Sequence, residues 1–365
     1  MYQGCAREVN AGYPCGEWNV TAIMEAALAL VLRATLDVAA GGSIAAAVAA
    51  ARPGDVVRLA PGTYRGALGR LSGIAVEGAG AGRTEVVAPE GEDCAVVAGE
   101  ARLAGLVLRA GPARSALKVL GGSARLEDVV LQGGAAGAFV DEGTLTGAQV
   151  ELAGGYGLLA RRGDVALDGG SARGTSAGVA AVATRLALSR FAIVGPAQEA
   201  GLSVAGGTAT LSAVTIRAPG PAGIAASAGA EVDGTDVLVD GPTEEGGFLG
   251  DCVQAQKASV SLRASVLQRC GGAAVEVSGG SLRLIGVDAI GGAAGCVILV
   301  NGATADLEGN LCVGRGPALV VGSGARARLR MNRWRSDPAA WVDCAAGARI
   351  EVGPGERIPQ PCASR

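Results

Sequence analysis

The sequence predicts an all-β solenoid: a single parallel β-helix of about twelve or more turns of roughly 22 residues, with a helix capping its N-terminal end. Three observations predict this fold. A short apolar phrase recurs along the chain, its residues alternate between apolar and polar, and the composition favours small side chains. Glycine accounts for 61 of 365 residues and aromatic residues for only 3%. Such a chain packs best where backbones stack closely, as in successive turns of a coil.

The recurring phrase defines the length of one turn. It starts at residues 94, 116, 137, 157, 178, 201, 223, 252, 274, 296, 318 and 340. The spacing of successive starts is nearly constant, except for one long interval from 223 to 252. Alternation over three to five residues predicts short strands with one buried face. Stacking equivalent strands at about 4.8 Å gives a rod of roughly 60 Å. A leucine-rich repeat has a similar period, but its LxxLxLxxN phrase does not occur.

The segment ahead of the repeats predicts the capping helix and the first strand. Ser43 is a suitable N-cap for an Ala-rich helix that Pro53-Gly54 would end. The residues that follow alternate as a strand up to a turn at Pro61-Gly62. The predicted organisation is an N-terminal extension over 1–42, the β-helix over 43–352 with its helical cap at 43–53, and a C-terminal tail over 353–365.

The run PGDVVRLAPGTY within residues 42–65 resembles the opening segment of the pectin-lyase-like right-handed parallel β-helix proteins. The turns resemble those of NosD-like repeat proteins, so the resemblance covers roughly residues 35–352. It implies a right-handed coil but no single activity, because that superfamily includes lyases, hydrolases, epimerases, adhesins and inert scaffolds. The GHG, RIK and RxPxxR motifs of its pectin-degrading members are absent. The YGFDPH run of its epimerases is also missing, and neither lysine, Lys118 or Lys257, lies in a lyase-like motif.

Nine cysteines predict disulfides and therefore an oxidising compartment. Eight of them form pairs that are local in sequence: Cys5–Cys15, Cys252–Cys270, Cys296–Cys312 and Cys344–Cys362. Cys94 is left over, and buried free thiols remain the alternative. No CxxC spacing occurs and the chain has no histidine, which disfavours a zinc site. We expect an extracellular or periplasmic protein, with anchoring at the cell surface as an open alternative.

Charge gives little reason to expect a nucleic-acid or anionic-membrane surface. The formal net charge is −3, from 31 basic and 34 acidic residues, and no apolar run is long enough to span a membrane. All the basic residues except Lys118 and Lys257 are arginine. Because the arginines are scattered along the sequence, a compositional bias explains them better than a site that binds acidic groups.

The long interval contains the one candidate site. It carries six carboxylates: Asp233, Asp236, Asp240, Glu244, Glu245 and Asp251. Functional side chains often lie on loops of a rigid scaffold, so these residues could bind calcium or provide an acid and a base. A solvated acidic loop is the simpler alternative. No other metal or cofactor is expected.

The outward face of the first strand of each turn is predicted to be mainly apolar. The predicted outward residues are Val96, Lys118, Phe139, Leu159, Ala180, Ser203, Ala225, Gln254, Glu276, Ile298, Val320 and Val342. A sugar-processing groove would instead carry carboxylates, basic groups and aromatic platforms, so this face is either covered or a partner surface. Asn310 and Asn332 occupy equivalent positions of successive turns and are expected to stack as a hydrogen-bonded ladder.

These observations favour a non-catalytic secreted or cell-envelope β-helix. It would act as a scaffold, an adhesin or a carbohydrate-binding module, with a polysaccharide or protein partner on an exposed face. The alternative is a carbohydrate-active enzyme, a polysaccharide lyase or glycoside hydrolase acting on an acidic polysaccharide. A role in assembling a metal cofactor, by analogy with NosD-like proteins alone, is a third hypothesis.

Overall fold

The computed structural model describes residues 33–195, 197–217, 220–241, 250–335 and 342–356. Over these residues the chain forms a right-handed parallel β-helix of about 14 turns of roughly 22 residues, which confirms the predicted fold class. Each turn visits three ladders of parallel strands in a fixed order, and we call these ladders the first, second and third sheets. Equivalent residues of successive turns therefore form columns that run along the axis of the coil.

The strands fall into four groups. The first sheet contains β4 (Gly69–Leu71), β7 (Ala95–Val97), β9 (Ser115–Leu120), β11 (Ala136–Asp141), β15 (Ala222–Ser227), β21 (Gly295–Val300), β24 (Leu319–Val321) and β27 (Val342–Cys344). The second contains β1 (Thr35–Val38), β2 (Val56–Leu59), β5 (Ile74–Glu77), β22 (Thr304–Glu308), β25 (Arg326–Arg330) and β28 (Arg349–Val352). The third contains β3 (Gly62–Arg65), β6 (Thr84–Val87), β18 (Val266–Cys270), β20 (Asp288–Gly291), β23 (Leu311–Val313) and β26 (Arg333–Arg335). Longer strands continue around corners and join two or three sheets: β8 (Glu100–Arg109), β10 (Ser123–Gln132), β12 (Thr144–Arg161), β13 (Asp164–Val194), β14 (Ala200–Arg217), β16 (Glu231–Asp240), β17 (Asp251–Arg263) and β19 (Ala273–Ile285).

Helix α1 (Ile44–Ala50) caps the N-terminal end of the coil. The Ser43 hydroxyl accepts a hydrogen bond from the Ala46 N–H at 3.2 Å, as expected of an N-cap. Ile44 is buried in the core, so the helix covers the apolar interior of the first turn. Strand β1 precedes the helix and pairs with β2. The coil therefore begins at Thr35, before the predicted boundary at residue 43, because the helix is inserted within the first turn.

The corner between the second and third sheets contains one residue with left-handed backbone conformation in each of eleven turns. Its φ lies between 45° and 73° at Gly105, Asp128, Gln149, Gly169, Arg190, Ala213, Asp236, Ala264, Gly286, Gly309 and Met331. L-residues with side chains are disfavoured in this conformation and glycine is not. The corner persists without glycine because the strands on both sides are held by the turns above and below.

The interior is one continuous apolar core, interrupted near its C-terminal end by a buried polar column. Asn310 Nδ2 donates to Asn332 Oδ1 at 2.9 Å, so the predicted ladder forms. Asn310 Oδ1 accepts from the Val287 N–H at 2.8 Å. At the other end the Asn332 N–H donates to Glu356 Oε2 at 2.8 Å, and Trp334 Nε1 donates to Glu356 Oε1 at 2.6 Å. Glu356 therefore satisfies the last members of the column.

Two of the predicted disulfides are present. Cys252–Cys270 and Cys296–Cys312 have Cα–Cα distances of 5.3 and 6.1 Å. Each joins the start of a turn in the first sheet to the third sheet of the same turn, so each closes a turn into a covalent ring. Cys94 is free and buried, and burial raises the pKa of its thiol to about 12.

The other two predicted pairs involve residues outside the described part of the chain. Cys5 and Cys15 both lie there, and so does Cys362. Cys344 is disulfide-bonded, but its pairing with Cys362 stays a prediction. No helix within the described ranges is long and apolar enough to cross a membrane.

Candidate binding groove

The carboxylates predicted around the long interval lie on different faces of the coil. Asp233 is exposed on the second sheet, Asp236 occupies the next corner, Asp240 lies on the third sheet and Asp251 begins the first-sheet part of β17. Two members fall outside the described residues: Glu244 and Glu245. Within the described ranges, no group of three or more Cys, Asp or Glu side chains could hold a metal ion. Proximity in sequence does not bring these side chains together, because a solenoid turns them in different directions.

Asp240 is neutralised by arginines of neighbouring turns. Arg269 Nε and Nη2 lie 2.6 and 2.5 Å from its two carboxylate oxygens, and Arg217 Nε lies 3.7 Å from Oδ2. The Arg269 hydrogen bonds hold the pKa of Asp240 below its usual range, although burial opposes them. Asp240 thus links its own turn to the neighbouring turns through ion pairs.

Asp251 and Asp93 make the same contact in different turns. The Asp251 carboxylate accepts a hydrogen bond from the Ala273 N–H at 2.7 Å, and the Asp93 carboxylate accepts one from the Ser115 N–H at 2.9 Å. Each aspartate immediately precedes a buried cysteine. Asp251 therefore has a structural role, because its oxygen satisfies a backbone donor of the next turn.

The charge beside these two aspartates differs. Lys118 Nζ lies 2.8 Å from Asp93 Oδ2, whereas Glu276 occupies the equivalent position beside Asp251. Asp251 is only 6% exposed, and its burial, reinforced by the charge of Glu276, raises its pKa to about 6. The Ala273 N–H opposes that shift. Asp251 and Glu276 thus place a carboxyl group that titrates near pH 6 beside a second carboxylate.

The first sheet has the predicted outward column from Val96 to Val320, with Lys118 among its few charged members. The last member is different: Val320 pairs with Asp343, and Val342 pairs with buried Leu319. The prediction that Val342 faces outward is therefore wrong. The sequence separation between paired outward residues is one residue larger from Val320 to Asp343 than from Ile298 to Val320. The column is mainly apolar, as expected, and offers few groups that could bind a sugar.

The second sheet carries the best candidate site, an open groove of about 600 Å³ that we call the second-sheet groove. It crosses the outward faces of β16, β17, β19, β22 and β25. Its lining side chains are Glu231, Val232, Asp233, Ser259, Val260, Ser261, Ser281, Leu282, Arg283, Thr304, Ala305, Asp306 and Arg328. The exposed members are polar, because the apolar side chains that alternate with them face the core.

Two columns supply the polar groups of the groove. One presents the hydroxyls of Ser259, Ser281 and Thr304, and the Ser281 hydroxyl donates to that of Ser259 at 2.9 Å. The other, in order along the axis, is Asp233, Ser261, Arg283, Asp306 and Arg328. Donors and acceptors therefore recur at the inter-strand spacing of about 4.8 Å.

Sequence reasoning included only Asp233 of these residues in a candidate site. The predicted outward column covers the first strand of each turn and does not extend to the second strand. A signal was available, because Ser259 and Ser281 lie at the same position of two successive turns.

Comparisons with known proteins agree with this architecture. No protein-family model matches the chain, and no curated protein matches it. The Dettilon tailspike protein (gp208) superposes with a TM-score of 0.52 at 11% identity, over 84% of this chain and 63% of the tailspike chain. This chain has the parallel β-helix fold.

Two further solved structures resemble it more distantly. The A-module of the mannuronan C-5 epimerase AlgE4 from Azotobacter vinelandii has a TM-score of 0.46 at 15% identity, over 85% of this chain and 93% of that one. The catalytic domain of a GH87 alpha-1,3-glucanase in complex with nigerose has a TM-score of 0.43 at 15% identity, over 86% and 68%.

Proposed function

We propose that the protein is a secreted, non-catalytic β-helix that binds a polysaccharide chain in the second-sheet groove. The observation that carries this proposal is the repeating arrangement of hydroxyl, carboxylate and guanidinium groups along the groove. A polymer of sugars presents hydroxyls at regular intervals, and an open groove lets it extend beyond the site at both ends. Polar groups on rigid strands are ordered before binding, which reduces the entropy lost when the ligand docks.

The carboxylates of the groove are poorly placed for glycosidic cleavage. Asp233 and Asp306 are three strand spacings apart, or about 14 Å, whereas paired catalytic carboxylates lie roughly 5–9.5 Å apart. Glu231 and Asp233 are closer, two residues apart on β16, but both are exposed on an open surface that does not exclude water. The groove therefore suits binding better than catalysis.

Secretion is supported by the two disulfide rings. Such bonds persist in extracellular and periplasmic compartments and are rare in the cytosol. A polysaccharide at the cell surface or in the surrounding medium would be accessible to a protein in those compartments.

The proposal is tested by filling the groove. Ser281→Tyr places a bulky ring on its exposed floor, and Thr144→Tyr makes the same change in the same column outside the groove. In affinity electrophoresis against neutral and anionic polysaccharides, we expect the parent protein to be retarded by at least one of them. Ser281→Tyr should weaken that binding roughly tenfold or more, about 1.4 kcal/mol, and Thr144→Tyr should not. Lack of retardation by every polysaccharide, or equal binding by both variants, would overturn the proposal.

One observation favours an enzyme as the second candidate. Asp251, whose burial raises its pKa to about 6, lies beside Glu276 on the first sheet, so a carboxyl group that can exchange a proton near neutral pH adjoins a second carboxyl group. If they are catalytic, incubation with polysaccharide should release reducing ends or unsaturated products, and Asp251→Asn should abolish that release.

A further inference from the structure

Half of the sixteen arginines between residues 33 and 217 form ion pairs with carboxylates one turn away. Arg102 contacts Glu77 at 2.7 Å and Glu127 at 2.9 Å. The same arrangement recurs around the coil, in Arg109–Glu85, Arg161–Asp141, Arg162–Glu142, Arg185–Asp164, Arg190–Asp168 and Arg269–Asp240. These arginines are neutralised and hold the turns together. Among the arginines without an ion pair, those on the second sheet between β17 and β28 lie close together.

Four such arginines are exposed on the second sheet between β17 and β28: Arg263, Arg283, Arg326 and Arg349. None of their guanidinium groups forms an ion pair or hydrogen bond with a described residue. Carboxylates are present on the same face, but Asp306 and Glu308 contact Arg330 at 3.2 and 3.1 Å, and Glu351 contacts Arg328 at 3.9 Å. Six arginines against three carboxylates give the sheet between β17 and β28 a net charge of +3, although the whole chain carries −3. The β16 end of the groove is acidic, because it carries Glu231 and Asp233 and no basic residue.

The unpaired arginines follow a diagonal track across the sheet. Arg263 is in the column nearest the corner with the third sheet, Arg283 in the central column, and Arg326 and Arg349 in the column of Ser281 and Thr304. From β17 to β28 the track spans four strand spacings, or about 19 Å. Arg283 lines the second-sheet groove and the other three lie on the strands beside its lining residues, so the scatter of arginines along the sequence becomes a cluster in the folded chain.

We infer that the ligand of the second-sheet groove is an anionic glycan, whose carboxylate or sulfate groups bind along this arginine track while its hydroxyls bind Ser281 and Thr304. The inference rests on the proposed function and specifies its ligand. Guanidinium groups bind carboxylate and sulfate oxygens through two parallel hydrogen bonds. Between β17 and β28 the charge is complementary to an anionic ligand, and Glu231 and Asp233 at the acidic β16 end of the groove can accept hydrogen bonds from its hydroxyls.

A nucleic acid fits the face less well. Over about 19 Å a DNA duplex carries roughly eleven phosphates, many more than the four free guanidinium groups. The described outward residues of the second sheet include no aromatic side chain on which a base could stack. A glycan with a charge on every one or two sugars presents anions more sparsely and needs no stacking platform.

The test compares two triple variants with equal loss of charge. Arg263→Gln/Arg283→Gln/Arg349→Gln removes three positions of the track. The matched control, Arg70→Gln/Arg114→Gln/Arg125→Gln, removes three exposed arginines whose guanidinium groups also form no ion pair or hydrogen bond with a described residue. Binding of the parent and both variants to polygalacturonate, dextran sulfate, unmodified dextran and single-stranded DNA is measured by biolayer interferometry at low and high NaCl concentration, and thermal midpoints verify folding.

We expect the parent to bind at least one anionic glycan and the track variant to bind it at least tenfold more weakly. The control variant should stay within about twofold, and high salt should weaken binding because it screens exposed charges. Preference for polygalacturonate or for dextran sulfate identifies carboxylate or sulfate as the bound group. Equal binding of dextran and polygalacturonate, unaffected by the track variant but lost in Ser281→Tyr, would overturn the inference and leave the proposed function standing. Tighter arginine-dependent binding of DNA would also overturn it, and binding of no glycan at all would overturn the proposed function as well.

Discussion

At the scale of single residues, Asp93 and Asp251 show how neighbouring charge changes the consequence of one contact. Both carboxylates accept a backbone N–H of the next turn, but Asp93 is paired with Lys118 and Asp251 faces Glu276. Burying an unpaired carboxylate disfavours its ionised form. The folded state therefore binds a proton at Asp251 more tightly than the unfolded chain does.

This difference predicts the pH dependence of an Asp251→Asn variant. Because the folded pKa of about 6 lies above the ordinary aspartate value of 3.8, the contribution of Asp251 to stability is complete below about pH 4 and is lost as pH rises through 6. The asparagine keeps an acceptor for Ala273 and removes the buried charge. We expect it to raise the free energy of unfolding by about 1–3 kcal/mol at pH 7.5 and to have little effect at pH 4.

Urea denaturation of the parent and the variant between pH 4 and 8 measures this difference. Asp93→Asn is the matched control and should destabilise the protein at pH 7.5, because it breaks the ion pair with Lys118. Glu276→Lys recreates that pair beside Asp251 and should stabilise the protein at the same pH. A pH-independent effect of Asp251→Asn would contradict the assignment.

At the scale of elements, the corners between the second and third sheets have left-handed backbone conformation in successive turns, whether or not the residue there is glycine. Gly286 and Ala264 occupy this corner in adjacent turns, with φ of 61° and 45°. A Cβ added at Gly286 would meet no atom within 4 Å, so a substitution there tests the backbone alone.

We expect Gly286→Ala to destabilise the protein by about 1 kcal/mol, since alanine is disfavoured at positive φ. Ala264→Gly should have the opposite sign and stabilise by roughly 0.5–1 kcal/mol, because relief of strain exceeds the entropy that glycine adds to the unfolded chain. Chemical denaturation of both single variants gives the two values. The same sign for both would show that packing, and not the backbone, decides the corner.

Strand positions were largely predictable from the sequence because alternation and period are local signals. The outward column of the first sheet follows the prediction from Val96 to Val320, since each turn there repeats the same phrase. The prediction is wrong at Val342 because one additional residue precedes the last strand. The apolar phrase there is compatible with either face of the strand pointing outward, so it does not reveal the shift. A one-residue slip exchanges the two faces of a strand, so a single insertion is enough to reverse the assignment.

At the scale of the whole molecule, the fold was predictable and the second-sheet groove was not. The groove gathers side chains from five successive turns, so its composition depends on the register of every intervening turn. Asp233 stacks on Ser261 because the long interval lies between them. A constant period along the chain would have paired Asp233 with the wrong residue. The clustering of unpaired arginines was hidden for the same reason.

The two disulfide rings predict a region of extra stability in the C-terminal half. They close loops with sequence separations of 18 and 16 residues, and loops of this size stabilise by about 3 kcal/mol each in the chain-entropy model. Hydrogen exchange of Cys252→Ser/Cys270→Ser should show faster exchange in the turns next to residue 252, with little change in those near Cys94. Cys94→Ser, which alters a free thiol, is the control. Uniform loss of protection along the coil would contradict a local effect.

The same rings have a mechanical consequence. Under tension a solenoid can unravel turn by turn, because each turn contacts only its neighbours. The residues between Cys252 and Cys270, and those between Cys296 and Cys312, are bypassed by the sulfur bridges and do not lengthen under load. At about 3.4 Å per extended residue, the two closed loops shorten the fully extended chain by roughly 60 and 55 Å. These two turns would therefore remain as closed loops of fixed length on an otherwise extended chain.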